Sequence, residues 1–170
     1  KALVFSVDAG ENTTKNFVLA EGAKISGLVT DSDSNVLANV NVNVNVSWQD
    51  DNWGMGTCTG SDGKYLLVVP SGSDYSYWLS AGGWSCDPDP ETIYALTYYS
   101  ADGLGTYNYG EALVFSVGAG GIIPDKNFML VEGATISGTV TDLNSNGLAD
   151  VNVSVQGDNW GMGACTDSSG

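Results

Sequence analysis

Apolar and polar residues alternate along much of this chain with the two-residue period of half-buried β-strands. The clearest run is Val40–Ser47, in which every valine falls on one face. Gly, Pro, Asn, Asp and Ser clusters separate the runs, and no ten-residue stretch shows a helical period. The pattern predicts an all-β fold with about seven strands per unit, packed as an antiparallel β-sandwich. Weaker alternation marks Ala2–Val7, Phe17–Leu19, Ile25–Thr30, Tyr65–Val69, Tyr75–Leu79 and Ile93–Tyr99 as further strands.

Several segments return in the same order, which indicates a tandem repeat with a period of about 110 residues. Ala2–Val7 recurs letter for letter as Ala112–Val117, and Asp51–Gly56 recurs as Asp158–Gly163. The repeat divides the chain into the last strand and connector of a preceding module (1–15), one complete module (16–120) and the first half of a following module (121–170). Residues 8–14 and 118–125 are then predicted to be connectors.

The phase of the repeat predicts a longer polypeptide that continues past Gly170. A second possibility is end-to-end assembly by strand exchange, in which Ala2–Val7 would serve as the final strand of a neighbouring subunit.

The first copy is four residues longer than the second within its Val-Asn tract. Ala38 precedes its counterpart Ala149 by 111 residues, whereas Asn45 precedes Asn152 by 107. An even insertion preserves side-chain alternation, so one face of this strand is held in register. We expect the longer strand to project as an extended hairpin, or to form a bulge if its partner strand does not lengthen as well.

Composition excludes several classes of function. The chain has 20 acidic residues, five lysines and neither arginine nor histidine, for a net charge of −15. Nucleic-acid binding needs clustered cations, and His-dependent catalytic or zinc sites are impossible. No carboxylate spacing specifies a catalytic pair, so we do not expect an enzyme. No apolar run is long enough to span a bilayer, and the acidic, polar composition favours an extracellular protein.

An ordered set of short motifs resembles the carboxypeptidase regulatory-like domain. The motifs are Ile25-Ser26-Gly27-x-Val29-x-Asp31, Val36–Val42, Thr59–Tyr65, Val69–Gly72 and Tyr77–Ala81, and the second copy repeats the opening ones. The resemblance implies a transthyretin-like, seven-stranded sandwich, common in tandem in secreted and cell-surface proteins and without catalytic residues of its own.

The repeat explains why the chain has an odd number of cysteines, three. Cys58 corresponds to Cys165, whereas Cys86 has no counterpart in the chain. The simplest pairing is Cys58 with Cys86, and Cys165 would pair beyond the chain end. Such a bridge implies an oxidising compartment. The alternatives are buried free thiols and bridges between neighbouring molecules.

Asp31-Ser32-Asp33-Ser34-Asn35 has the opening spacing of a calcium loop, with Asp31, Asp33 and Asn35 as the candidate ligands. The second copy has one carboxylate fewer, and neither copy has the closing glutamate. We therefore favour an Asp/Asn turn between two strands, with weak Ca²⁺ binding as the alternative and no other cofactor.

Trp53, Trp84 and Trp160 are candidates for stacking against sugars or for contacts between modules. Trp53 and Trp160 follow Asp-Asn in a segment that its glycines predict to be a loop. Asn12, Asn45 and Asn152 each begin a glycosylation sequon.

These observations favour a structural role. The predicted function is a component of an extracellular filament, stalk or surface layer, built from tandem disulfide-locked sandwiches that contact copies of themselves. The alternative is a carbohydrate-binding or adhesive module of a larger secreted protein.

Overall fold

A computed structural model describes residues 5–19, 21–49, 51–87, 93–157 and 161–170. Within these ranges the chain is all-β, with a single-turn 3-10 segment at Tyr109–Glu111 and no α-helix. The strands are β1 (Ala23–Asp31), β2 (Val40–Trp48), β3 (Asp51–Cys58), β4 (Lys64–Val69), β5 (Gly72–Ser85), β6 (Thr97–Tyr98), β7 (Phe115–Val117), β8 (Ile122–Ile123), β9 (Phe128–Leu130), β10 (Asn152–Gln156) and β11 (Gly161–Cys165).

The strands form two larger sheets and a separate hairpin. One sheet has the order β4-β1-β8, with β9 also paired to β1, and the other has the order β3-β2-β5-β6, with β7 paired to β5. β10 and β11 pair only with each other among the described strands. Because β8 and β9 run parallel to β1, the first sheet is mixed, and the expectation of a purely antiparallel sandwich is wrong.

The hydrophobic core lies between the two larger sheets. The valines of β2 are buried, with Val42, Val44 and Val46 fully inaccessible, so the predicted one-faced strand is confirmed. Ile25 on β1 and Leu79 on β5 face the same cluster. Each fully buried aliphatic side chain stabilises the fold by about 1.5–3 kcal/mol relative to an exposed one. Burial on one face of each sheet therefore fixes the strand register.

The glycine-rich segment that contains Trp53 is a strand, so the prediction of a loop there is wrong. β3 pairs antiparallel with β2, and Gly54 and Gly56 lie opposite Asn45 and Asn43. A Cβ atom at Gly56 would lie 2.4 Å from the Asn43 Oδ1 atom. The glycines therefore make room for the asparagine row on β2, and the turn-forming signal of glycine is overridden by this packing.

The hairpins β2-β3 and β10-β11 share one register at their base. Asn41 pairs with Cys58 in the first copy, and Asn152 pairs with Cys165 in the second. The four extra residues of the first copy therefore lengthen both strands at the tip, as expected for an extended hairpin.

Strands that complete the first sheet lie after residue 120, the boundary that the repeat predicts for the complete module. Ile123 on β8 packs against the core, and Phe128 and Leu130 on β9 are buried within it. The segment 118–125, predicted to be a connector, contains β8 and contributes to the sheet.

Candidate functional site

A disulfide joins Cys58, the last residue of β3, to Cys86, the residue after β5. Their Cα atoms are 6.1 Å apart, within the usual range for a bridge. Both strands pair with β2, so the bridge ties together the two neighbours of the central strand near its first residue, Val40. The Cys86 amide donates to the Asn39 carbonyl at 2.8 Å, which fixes the same corner. Cys165, the counterpart of Cys58, is a free and exposed thiol.

Thr59 stabilises the corner beside the disulfide. Its hydroxyl accepts a hydrogen bond from the Val40 amide at 3.0 Å and donates one to the Leu37 carbonyl at 2.6 Å. Thr166 makes the same two bonds in the second copy, to Val151 and Leu148. Sequence reasoning missed this threonine, although its recurrence after each cysteine was a usable signal.

The candidate calcium loop forms an Asp/Asn turn. Asp31 Oδ1 accepts the amides of Asp33 and Asn35 at 2.9 and 2.8 Å, and Asp31 Oδ2 accepts the Asn35 side-chain amide at 2.9 Å. The Asn35 side-chain bond contributes most to lowering the pKa of Asp31. Asp142 makes the corresponding bonds with Asn144 and Asn146. Both carboxylate oxygens of Asp31 are therefore engaged by the loop itself.

Within the described ranges, no group of three or more Cys, Asp or Glu side chains is placed to hold a metal ion.

Residues 126–130, which we call the closing segment, complete the first sheet. The Lys126 amide donates to the Ser26 carbonyl at 3.0 Å, and the Leu28 amide donates to Asn127 Oδ1 at 2.8 Å. The Lys126 carbonyl accepts the hydroxyl of Tyr65 at 2.6 Å. A Cβ atom at Gly27 would lie 2.1 Å from that carbonyl oxygen, so only glycine admits the closing segment here.

The Lys126 ammonium group lies over two aromatic rings, 4.7 Å from the ring centre of Tyr99 and 5.5 Å from that of Phe115. The closing segment is therefore held by its hydrogen bonds to β1 and Tyr65 and by this cation–π contact.

Three residues separate the closing segment from the part of the second copy that repeats β1. Leu130 ends β9, and Ala134 corresponds to Ala23, the first residue of β1. The Ala95 amide donates to the Val131 carbonyl at 3.0 Å, and the Gly133 amide donates to the Ile93 carbonyl at 2.8 Å. We call residues 131–133 the junction; two backbone hydrogen bonds attach it to the first copy.

Two of the three candidate tryptophans, Trp53 and Trp84, lie in the described part of the chain. Trp53 lies on β3 with 37% of its surface exposed, and Trp84 lies on β5 with 73% exposed. Trp160 lies outside the described residues. A separate cluster on the outer face of β5 joins Trp78 to Tyr109 and Tyr109 to Tyr98, each with ring centres 5.6 Å apart and edge-to-face. Of the predicted tryptophans, Trp53 and Trp84 therefore lie on different strands and do not join this cluster.

The three sequon asparagines differ in exposure. Asn12 and Asn152 are exposed, whereas Asn45 is half-buried between Gly54 and Trp78 of the flanking strands.

Burial raises the pKa values of two tyrosines in the core, Tyr77 and Tyr65. Loss of solvent raises the pKa of Tyr77 to about 12, with a smaller contribution from Tyr75, and raises that of Tyr65 further. The Tyr77 hydroxyl donates to the Pro70 carbonyl. Both phenols are therefore neutral hydrogen-bond donors at physiological pH.

Comparison with protein-family models, curated proteins and solved structures yields no match. Among the residues that the structure describes, no helix is long and apolar enough to cross a membrane. The Cys58–Cys86 disulfide fits a protein outside the reducing cytoplasm.

Proposed function

We propose that the chain is a structural component of an extracellular filament, stalk or surface layer, assembled from tandem copies of one β-sandwich. The observation that carries the proposal is the junction at residues 131–133. It is only three residues long, and its hydrogen bonds to Ile93 and Ala95 remove much of its freedom. A short, attached junction suits beads held at fixed spacing, whereas domains that move independently are usually joined by longer polar linkers.

The local agreement between the two copies supports the same proposal. The two copies form the same contacts between equivalent residues. These contacts are found in the Asp31 and Asp142 turns, in the Thr59 and Thr166 hydrogen bonds and at the base of the two hairpins. A repeat that preserves hydrogen-bond partners and strand register as well as sequence is suited to forming the same sandwich more than once. The resemblance to carboxypeptidase regulatory-like domains belongs to this proposal, as does the extracellular location.

Electron microscopy of the native material, labelled with an antibody against this chain, tests the proposed function. We expect labelled fibres, stalks or a lattice outside the cell, with a regular spacing on the order of the 30–45 Å that strands of 9 to 14 residues span. Labelling confined to dispersed particles inside the cell would contradict the proposal.

Carbohydrate binding is the second candidate, and the exposure of Trp84 favours it. An indole that is 73% exposed offers a flat apolar face of the kind that stacks on sugar rings. Titration with soluble oligosaccharides, followed by tryptophan fluorescence, tests this candidate. The Trp84→Ala variant should lose a response that Trp53→Ala retains; equal responses from both variants would contradict a site at Trp84.

A further inference from the structure

The N-terminal segment of the chain is a second copy of the closing segment, and it is not packed. Lys15-Asn16-Phe17-Val18-Leu19 matches Lys126-Asn127-Phe128-Met129-Leu130 at four of five positions. Phe128 and Leu130 are 3% and 0% exposed, whereas Phe17 and Leu19 are 83% and 89% exposed. Exposing two large apolar side chains at alternate positions is unfavourable unless another surface covers them.

The N-terminal segment already has part of the geometry of the packed one. The Lys15 ammonium group lies 4.9 Å from the ring centre of Phe5, as that of Lys126 lies 5.5 Å from the ring centre of Phe115. Phe5 and Phe115 are equivalent residues of the repeat. The N-terminal segment therefore keeps one side-chain contact of its packed copy, that between the lysine and the phenylalanine.

Among the described residues, no closing segment packs along the second copy of β1. Residues 134–142 repeat β1, yet residues 134–140 belong to no strand, and Ile136 is 82% exposed where its counterpart Ile25 is fully buried. Gly138 corresponds to Gly27, the glycine that admits the closing segment. At Gly138 no atom of the described residues lies within 4 Å of a Cβ position. The space that the Lys126 carbonyl fills beside Gly27 is therefore unoccupied by described atoms beside Gly138.

We propose that residues 15–19 of one molecule bind along residues 137–142 of a second copy of the chain, as the closing segment binds β1. The register of β9 with β1 sets the pairing: Phe17 lies opposite Val140, Val18 opposite Thr141 and Leu19 opposite Asp142, in parallel. The Lys15 amide donates to the Ser137 carbonyl, Asn16 Oδ1 accepts the Thr139 amide, and the Lys15 carbonyl packs against Gly138. This inference deepens the proposed assembly by naming a contact between its molecules.

Self-association of the full chain tests the proposal, measured by sedimentation equilibrium at about 0.15 M salt, where charge repulsion is screened beyond about 8 Å. We expect concentration-dependent association of the wild-type chain. Phe17→Ser with Leu19→Ser should weaken it at least about 100-fold, because both inward side chains lose their apolar surface. Val18→Ser is the matched control: its counterpart Met129 is 46% exposed, so association should change by less than about threefold.

Gly138→Ala tests the acceptor side. The added methyl group should weaken association at least about tenfold, because it occupies the place of the Lys15 carbonyl. Urea unfolding of each variant should match the wild type, since none of the changed residues contacts the core. Mixing Phe17→Ser/Leu19→Ser with Gly138→Ala should restore a one-to-one complex, because one variant supplies an intact acceptor and the other an intact donor.

A wild-type chain that stays monomeric, or association that Val18→Ser reduces as much as Phe17→Ser/Leu19→Ser does, would overturn strand exchange. Such a result is distinct from failure of the proposed function, because modules joined through the chain alone would still form the labelled extracellular structures seen by microscopy.

Discussion

At the scale of single residues, the buried hydroxyl of Thr59 stabilises the corner beside the disulfide through two hydrogen bonds. Thr59 is 2% exposed and supplies both a donor and an acceptor to the backbone. Thr59→Val keeps the shape of the side chain and leaves the Val40 amide and the Leu37 carbonyl without this partner. We expect the free energy of unfolding, measured in urea, to fall by about 2 kcal/mol.

Thr166→Val provides the matched control, since it removes the same two bonds from the second copy. Thr166 is half-buried, so water can replace the lost hydroxyl, and the global transition should change by less than about 0.5 kcal/mol. Equal losses from the two variants would contradict the importance of burial at Thr59.

Tyr77 predicts how stability responds to alkali. Its pKa is raised to about 12 by burial, so the folded state favours the protonated phenol. Its contribution to stability is therefore fully present below about pH 10, the pKa of an unfolded tyrosine, and is lost as the pH rises through about 12. We expect urea midpoints to fall over this interval, together with ionisation measured by absorbance near 295 nm.

Tyr77→Phe removes one ionisable group from the core and serves as the control. It should be less stable than the wild type at pH 7 by about 1 kcal/mol, through loss of the bond to Pro70, yet should lose less stability between pH 10 and 12. An unchanged alkaline dependence would show that Tyr77 does not contribute to it; Tyr65 would then account for the remaining loss.

At the scale of elements, the closing segment depends on a single glycine of β1. Gly27→Ala places a methyl group against the Lys126 carbonyl and should displace the segment, together with its bonds to Ser26 and Tyr65. We expect a loss of about 3 kcal/mol in the free energy of unfolding. Hydrogen exchange should locate the loss at β1 and β9.

Gly138→Ala is the control for this element, because it makes the same change where no described atom is near. Its urea transition should match the wild type at protein concentrations too low for association. A comparable loss from both variants would indicate that the methyl group acts through local backbone preference and not through the closing segment.

Elements with a buried face and a regular alternation were predictable, as β2 shows. Its four valines repeat at the strand period and are all buried. Gly63 has a positive φ, as an Asp-Gly pair in a tight turn favours. Both features can be read from the local sequence because their causes, alternating burial and a tight turn, lie within a few consecutive residues.

β3 and β9 show why other elements were not predicted correctly. The glycines of β3 are explained by asparagines on a neighbouring strand, which no local rule detects. Phe128–Leu130 is only three residues long and pairs in parallel with a strand about a hundred residues earlier, without a connecting turn. Its counterpart at Phe17–Leu19 was predicted to be a strand but is unpaired here, since strand formation requires the partner edge as well as the pattern.

At the scale of the whole molecule, the disulfide closes a covalent loop within the first copy. It links residues separated by 28 positions, and in the chain-entropy model a loop of this length stabilises the folded state by about 3.5 kcal/mol. Replacing both Cys58 and Cys86 by alanine should lower the free energy of unfolding by about this amount. The loss should be the same with and without reductant, whereas the wild type should lose stability only when reduced.

Cys165→Ala is the matched control for that pair. This thiol is exposed and unbridged, so its removal should leave the urea transition unchanged under both conditions and should abolish any reductant-sensitive dimer. If the double variant kept wild-type stability, the corner would be held by its hydrogen bonds alone, namely those of Thr59 and the bond from the Cys86 amide to Asn39. The disulfide would then act on the rate of unfolding, and the double variant should unfold faster than the wild type.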